Sequence, residues 1–273
     1  MRAERHANGV VTWSFDFAGP DLVAAVTTRA GGTSDGVYAG CNLGGHVGDD
    51  PARVAANRVL VAEALGLGEL TIADQQHGRR VVVVDEDLAG AGHDPGAALD
   101  PRLVGVDGLV TDVPGAAVAI LVADCAPVVL ADPVRRAIAV VHVGRTGAVL
   151  DVVAAGVEAL GRLVGSAPAD LVAGVGPCIG ATAYEIDGDA LAEVRDAFGD
   201  DLLEPSSGGR AHFDLRTAVL RRLTGAGVPG DRIEVVPATT DSAPDDLFSD
   251  RAARPCGRFA VVAALRGPVG EGR

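Results

Sequence analysis

Hydrophobic residues are most concentrated between Ala116 and Gly147, where charged residues and prolines divide them into short runs. Three apolar runs follow one another there, over residues 116–123, 128–130 and 137–141. Each run is too short for a typical helix, so the pattern predicts three buried β-strands. Cys125 and His142 stand at the ends of two of these strands, where a rigid element can hold a reactive group beside solvent.

The rest of the chain alternates between short apolar segments and amphipathic ones. Further strands are predicted at 10–17, 22–28, 81–85, 104–111, 171–175, 233–237 and 259–265. Helices are predicted to begin at Asp50-Pro51 and to span 148–164, 189–198 and 215–224, with Asp50 and Asp214 as N-caps. Strands outnumber helices without strict βαβ alternation, which indicates an α/β (α+β) fold with mixed sheets and not a doubly wound Rossmann fold.

Length and charge limit the classes of partner. The chain has 273 residues and no linker-like segment, so we expect a single domain over residues 1–273, with residues 267–273 frayed. The formal net charge of −14 leaves no cationic surplus for binding nucleic acid or an anionic membrane. The N-terminus lacks the apolar core of a signal peptide, and charged residues interrupt each apolar run before about 18 positions accumulate. We therefore expect a cytoplasmic protein, and the pattern predicts no particular oligomeric state.

The side chains at the strand ends indicate a possible metal site. The four cysteines are widely spaced without a CxxC pair, which argues against a disulfide framework and against a four-thiolate zinc site. His77 also stands beside a predicted strand, and with Cys125 and His142 it would provide two imidazoles and one thiolate. Three such ligands leave one tetrahedral position of zinc open, as in catalytic sites. The alternative is that Cys125 is a small buried residue and His142 a core imidazole with satisfied hydrogen bonds.

One arginine lies on the apolar surface of a predicted helix. In the helix that begins at Asp50, Arg58 falls on the face formed by Val54, Val61 and Leu65. A guanidinium in that position needs an anionic partner or a water-filled cleft. Arg58 is therefore either half of a buried salt bridge or a ligand-binding group.

Several short motifs occur in the order found in the multi-copper polyphenol oxidase (laccase domain) family. They are TTRAGG (27–32), NLGGHVGDDP (42–51), NR (57–58), QHG (76–78), ADCAP (123–127), HVG (142–144), GPCIG (176–180) and FSDR (248–251). The chain thus resembles this family, some members of which are named peptidoglycan editing factor. The resemblance extends over a core of about 22–265, and its most specific segments are ADC and HxG with the upstream His-Gly.

The resemblance implies a fold, a metal and an activity. The fold would be a four-layer α/β/β/α sandwich, and the zinc ligands would be His77, Cys125 and His142. The substrates would be purine nucleosides and phosphate, with phosphorolysis of adenosine, inosine, guanosine and methylthioadenosine to free base and ribose 1-phosphate, and with deamination of adenosine. Because zinc lowers the pKa of a bound water toward about 7, the same centre would suit deamination at the purine C6.

The resemblance and simple chemistry also assign candidate substrate contacts. Asn42 and Arg58 match positions that line the family's pocket, and Asn42 suits a ribose hydroxyl, although it is equally a turn former. Arg29 and Arg58 are candidate phosphate ligands, with an ordinary surface charge as the alternative for Arg29. Arg251 is a further candidate substrate contact. Asp124 is the candidate proton shuttle, but strand alternation points it away from the neighbouring cysteine, so a supporting role for the ligand is an open alternative.

Two motifs depart from the usual family pattern. Many relatives read HAGWRG where this chain has HVGRTG at 142–147, so a tryptophan and the arginine after it are missing, and Arg145 could replace the lost cation. The usual FFSYRR is reduced to LFSDR at 247–251, which makes the role of Arg251 less certain.

Other classes of function compete with a zinc enzyme. Copper chemistry is not expected, because the chain has no HxH pair and its single methionine is Met1. A metal-free hydrolase could use Cys125 as nucleophile and His142 or His77 as base, acting on peptidoglycan-type amides. A third possibility is a non-enzymatic partner in cell-wall synthesis.

Overall fold

The computed structural model describes residues 1–267. Over this range it contains fifteen β-strands and five α-helices, which we number in chain order. The strands are β1 (Arg2–Arg5), β2 (Val11–Ser14), β3 (Leu22–Thr27), β4 (Leu70–Ile72), β5 (Val81–Val83), β6 (Gly108–Thr111), β7 (Ala117–Val122), β8 (Ala126–Asp132), β9 (Ala137–Val143), β10 (Val172–Val175), β11 (Glu185–Ile186), β12 (Leu203–Pro205), β13 (Ala211–Phe213), β14 (Ile233–Val235) and β15 (Phe259–Leu265). The helices are α1 (Pro51–Leu65), α2 (Arg145–Val149), α3 (Val152–Val164), α4 (Gly188–Phe198) and α5 (Leu215–Gly225).

Two six-stranded sheets form the centre of the molecule. The first has the order β1-β2-β3-β15-β7-β4 and the second the order β14-β10-β8-β9-β6-β5. Most pairs are antiparallel, whereas β4–β7, β10–β14 and β5–β6 are parallel. A small third sheet joins β11, β13 and β12. The prediction of mixed sheets is therefore confirmed.

Three apolar clusters separate four layers of structure. One cluster lies between α1 and the first sheet, one between the two large sheets, and one between the second sheet and the remaining helices. In β7, Ile120 and Val122 belong to the middle cluster, whereas Ala119 and Leu121 belong to the cluster under α1. Because side chains alternate across a strand, strands apolar at every position can bury both faces. The layers follow the order α/β/β/α, which confirms the expected fold.

The predicted caps are confirmed, and one predicted helix proves to be two. Asp50 accepts a hydrogen bond from the backbone N–H of Ala52 at 2.9 Å, and Asp214 has the equivalent contact with Thr217. The segment predicted as one helix at 148–164 is divided between α2 and α3. Asp151 lies between them with φ of 59° and caps α3 through its carboxylate. Periodicity continues across this break, but Asp tolerates the left-handed conformation and supplies the acceptor that starts a new helix.

No helix in residues 1–267 is both long enough and apolar enough to cross a membrane. The predicted fraying at 267–273 concerns a segment of which residues 268–273 lie outside the described range.

Two glycines of α3 provide a matched test of the packing between this helix and the second sheet. A Cβ at Gly156 would lie 2.8 Å from Val141 Cγ2, whereas one at Gly161 would meet nothing closer than 3.5 Å. We expect Gly156→Ala to lower the free energy of unfolding by about 1–3 kcal/mol through overpacking. Gly161→Ala should raise it by up to about 1 kcal/mol through helix propensity. Urea denaturation of both variants checks this, and equal effects would contradict the packing described.

Candidate active site

Three side chains from separate parts of the chain converge at the ends of neighbouring strands of the second sheet. Cys125 lies in the short crossing from β7 to β8, His142 lies in β9, and His77 lies in the loop before β5. The pairing of β8 with β9 sets Ala126 opposite Val143, so the end of one strand lies beside the start of the other. The potential donor atoms of the three residues all lie within 4.8 Å of one another. Cys125 Sγ is 3.6 Å from His77 Nε2.

The glycine of the HVG motif leaves the space that this convergence needs. A Cβ at Gly144 would lie 2.8 Å from His77 Cδ2 and 2.9 Å from Cys125 Sγ. Any larger residue would therefore push the ligand side chains apart, which explains why a glycine follows His142 at this spacing.

A buried carboxylate holds the side chain of His142 and the backbone of His77 in place. Asp107 is fully buried, and its Oδ1 accepts hydrogen bonds from His142 Nδ1 and the His77 backbone N–H, both at 2.8 Å. Its Oδ2 accepts from the backbone N–H groups of Gly78 at 2.6 Å and Gln76 at 3.3 Å. His77 is thereby held at φ of 60°, in the left-handed region. Because Nδ1 of His142 donates to the carboxylate, Nε2 of that ring is left to face the other ligands.

Ionisation of the cluster follows from these contacts. Burial on its own favours the neutral thiol, but His142 and His77 outweigh it and lower the pKa of Cys125 to about 6. Burial likewise disfavours the imidazolium, but the Cys125 thiolate and Asp107 raise the pKa of His142 to about 9. Burial would also raise the pKa of Asp107, yet the hydrogen bonds that it accepts hold that pKa below its usual value. The thiolate, which is the form that binds metals or attacks electrophiles, is therefore favoured at neutral pH.

The donor set fits a metal ion. Two imidazoles and one thiolate are a usual set for a metal with one open coordination position, and an outer carboxylate on a ligand histidine is its usual support. Within the described residues, this is the one group of three or more His, Cys, Asp or Glu side chains arranged to hold an ion. The cluster can therefore hold a metal.

The cluster opens into a cavity of about 610 Å³, which is within the range of small-molecule sites. The lining residues are His46, Ala73, Asp74, Gln75, His77, Leu121, Val122, Ala123, Asp124, Cys125, His142, Ile179, Tyr184, Leu215, Asp250, Arg251, Arg254 and Arg258. Besides the three candidate ligands, Asp124 and Arg251 are the site residues expected from the sequence that line it.

Asn42 does not line this cavity, which corrects the expectation that it contacts a ribose. Its side chain is fully buried, and Oδ1 accepts from the backbone N–H groups of Gly44 at 2.9 Å and Arg258 at 2.8 Å. Its Nδ2 donates to Asp49 at 2.8 Å. With both ends of the amide satisfied, Asn42 serves to fix the backbone of Arg258, which does line the cavity.

Arg58 and Arg29 are also outside the cavity, and their expected phosphate contacts are corrected. Arg58 is 3% exposed and donates to the carbonyl oxygens of Leu43, Gly92 and His93 at 2.7–2.9 Å. These carbonyls replace the anionic partner that its position on an apolar face seemed to require. Burial lowers the pKa of Arg58 to about 10, so it remains protonated at neutral pH. Arg29 donates to two further carbonyls and lies 4.6 Å from the ring centre of Phe248.

Asp124 lines the cavity, and both oxygens of its carboxylate accept hydrogen bonds from the protein. Oδ1 accepts from the hydroxyls of Thr240 and Ser249, and Oδ2 accepts from the backbone N–H of Arg251 at 2.7 Å. These contacts favour the supporting role over the proton shuttle. The Arg251 side chain donates to carbonyl oxygens of Ala183 and Glu185 at 3.2 Å. Arg145 pairs with Glu193 instead of facing the cavity.

A family model described as multi-copper polyphenol oxidoreductase laccase matches residues 23–266. The chain belongs to this family. The laccase-family chain is 40% identical over 258 residues to purine nucleoside phosphorylase ORF3 of Streptomyces griseus, covering 94% of this chain and 96% of that protein. It is 41% identical over 241 residues to purine nucleoside phosphorylase SCO2081 of Streptomyces coelicolor, covering 86% and 91% of the two chains.

Solved structures show the same fold. The crystal structure of the hypothetical protein YfiH of Bacillus licheniformis superposes with a TM-score of 0.89 at 30% identity, covering 97% of this laccase-family chain and 99% of that one. The crystal structure of YlmD from Geobacillus stearothermophilus gives the same TM-score, identity and coverage.

Three site residues of this laccase-family protein were not expected from the sequence. Asp107 lies in a predicted strand. An acidic residue among apolar ones indicates a buried carboxylate that needs hydrogen-bond partners, so the sequence did contain a signal for it. Arg254 and Arg258 follow Arg251 in an irregular segment that has no periodicity from which their orientation could be predicted.

Asp107→Asn tests whether this carboxylate organises the metal site. The amide keeps one acceptor, but its NH₂ group would oppose backbone N–H donors, so we expect zinc affinity to fall about 10–100-fold. Competition with a chromophoric chelator measures this affinity. Asp112→Asn, which changes an exposed acid in the same stretch, is the matched control and should bind zinc like the wild type. Equal affinities in the two variants would exclude the organising role.

Proposed function

We propose that the protein is a zinc-dependent purine nucleoside phosphorylase of the cytoplasm. The observation that carries the proposal is the His77–Cys125–His142 cluster at the wall of a cavity large enough for a nucleoside and phosphate. Relatives about 40% identical over most of the chain bear the name purine nucleoside phosphorylase, which supports the same reaction here. Inosine, adenosine, guanosine and methylthioadenosine are the proposed substrates.

Zinc is the proposed metal because its usual ligands include both imidazole and thiolate and it keeps a position open in catalytic sites. Bound to this cluster, zinc would supply a Lewis acid that polarises an oxygen atom in the cavity. The protein's own part is to hold the ligands: Asp107 orients His142 and the His77 loop, and Gly144 leaves space between the side chains. The positions of these side chains are therefore already fixed before the reacting groups bind.

Adenosine deamination is proposed as a second activity of the same centre. The one coordination position that three protein ligands leave open could hold a water molecule, which supports this reaction. The three hydrogen bonds that the Asp124 carboxylate accepts favour a positioning role over that of proton shuttle, and we assign it the positioning role.

Chromatography of nucleosides incubated with zinc-loaded protein tests the main activity. We expect inosine and adenosine to yield free base only when phosphate is present, because phosphate is the attacking group. Cys125→Ala removes a ligand and should reduce the rate by more than about 100-fold, beyond the effect of altering an outer partner. Conversion of adenosine to inosine without phosphate would establish the deaminase activity. Absence of turnover by zinc-loaded protein would exclude the nucleoside proposal and leave the cysteine hydrolase and the non-enzymatic partner as the alternatives.

A metal-free cysteine hydrolase is the second candidate function. The specific observation in its favour is the lowered pKa of Cys125, about 6, with the His77 imidazole 3.6 Å away. Such a thiolate could attack an amide of a peptidoglycan precursor, with His142 or His77 as the acid and base.

Chelation and alkylation separate the two candidates. Under the zinc proposal, a chelator should abolish activity and added zinc should restore it, whereas iodoacetamide should label Cys125 only after the metal is removed. Burial raises the pKa of both Cys41 and Cys178 to about 12, so these thiols should stay unmodified in mass spectra of the folded protein. Activity that survives chelation and disappears on alkylation of Cys125 would instead identify the hydrolase.

A further inference from the structure

One wall of the cavity is an irregular segment, 249–258, that is anchored at both ends; we refer to it as the arginine segment. At its start, the hydroxyl of Ser249 and the backbone N–H of Arg251 each donate to Asp124 at 2.7 Å. At its end, the backbone N–H of Arg258 donates to Asn42 at 2.8 Å, and its carbonyl accepts from Leu43 at 2.9 Å. These contacts replace the regular hydrogen bonding that the segment lacks.

The arginine segment brings three guanidinium groups to the cavity. Arg251, Arg254 and Arg258 all line it. The one carboxylate within the segment, Asp250, pairs with Arg254 and Arg258. Of the other carboxylates in the lining, Asp124 accepts three hydrogen bonds and Asp74 accepts one from Gln76. The lining as a whole contains three arginines and three carboxylates, but the arginine segment itself carries three cations and one anion, in a chain whose net charge is −14.

The guanidinium groups are held in place but retain donors. Arg258 is fixed by the carbonyls of Cys256 and Gly257 at 3.0 Å, and Gly44 leaves space for its stem, since a Cβ there would lie 2.8 Å from Arg258 Cγ. Arg254 uses Nε and one terminal nitrogen on Asp250. Within residues 1–267, the other terminal nitrogen of Arg254 forms no hydrogen bond and can meet a ligand.

We propose that the arginine segment is the binding site for inorganic phosphate, with Arg254 and Arg258 as its principal ligands. The proposal rests on the proposed function, in which phosphate is the anionic substrate. Arginine suits phosphate because its planar N–H groups match two oxygens at once. Arg29 and Arg58 do not line the cavity, so they are not available for this role. Asp124 and Asn42 are then positioning residues that act through the segment.

Phosphate titration of the zinc-loaded protein by calorimetry, without nucleoside, tests the site directly. We expect Arg254→Gln to raise the phosphate Kd about tenfold, because one charge-assisted contact is lost. Arg254→Lys should recover part of the loss. The matched control is Arg162→Gln, which changes an exposed arginine of α3 that pairs with Glu158, and its phosphate Kd should equal that of the wild type.

A second variant tests the anchoring without removing an arginine. Asp124 has φ of 87°, so Asp124→Gly removes the carboxylate while the backbone keeps its conformation at no steric cost. We expect faster amide hydrogen exchange across 249–258 and a higher phosphate Kd. Exchange rates equal to the wild type would show that Asp124 does not position the segment.

The outcomes separate this site from the proposed function. Arginine-dependent phosphate binding by a protein that cleaves no nucleoside would support the site and exclude the phosphorylase. Intact phosphorolysis with the same phosphate Kd and KM in wild type, Arg254→Gln and Arg258→Gln would overturn the site and leave the phosphorylase standing. A wild-type protein that binds no phosphate would also overturn it.

Discussion

The site depends on one buried charge, the carboxylate of Asp107. Burying an ionised carboxylate costs several kcal/mol unless its oxygen atoms find donors. Four N–H groups provide them: three come from consecutive backbone positions around His77, and one comes from the ring of His142. The contacts that satisfy the charge also fix one ligand loop and the orientation of a second ligand. The same hydrogen bonds therefore stabilise the buried carboxylate and preorganise the metal-binding side chains.

The arrangement of the sheets explains where that site can form. Strands such as β7 bury apolar side chains on both faces, so polar groups are confined to strand ends and crossings. Cys125 lies where the chain crosses from the first sheet to the second, beside the end of the strand that carries His142. Two rigid sheets thus hold two of the candidate ligands, and the Asp107 network adds the third from a loop.

The irregular segment in the cavity lining is held in place by single polar side chains from distant parts of the chain. Asn42 holds the backbone of Arg258, Asp124 holds that of Arg251, and Arg58 joins the loops at Leu43 and Gly92 through their carbonyls. Asn42 and Asp124 thereby position two arginines of the cavity lining, whereas Arg58 connects loops outside it. Irregular segments lack ladder hydrogen bonds, so buried side chains must satisfy their backbone groups instead.

The sequence by itself determined the features that depend on neighbours a few residues away. Alternation and apolar runs predicted β15 at Phe259–Leu265, and the caps at Asp50 and Asp214 followed from short-range hydrogen bonding. The residue types of the His77–Cys125–His142 cluster and their positions at strand ends were also evident. Only the tertiary structure decided which arginines face the cavity. The carbonyl partners of Arg58 are 15 to 35 positions away and the amide partner of Arg258 is 216 positions away, so their roles depend on loop paths that no local pattern encodes.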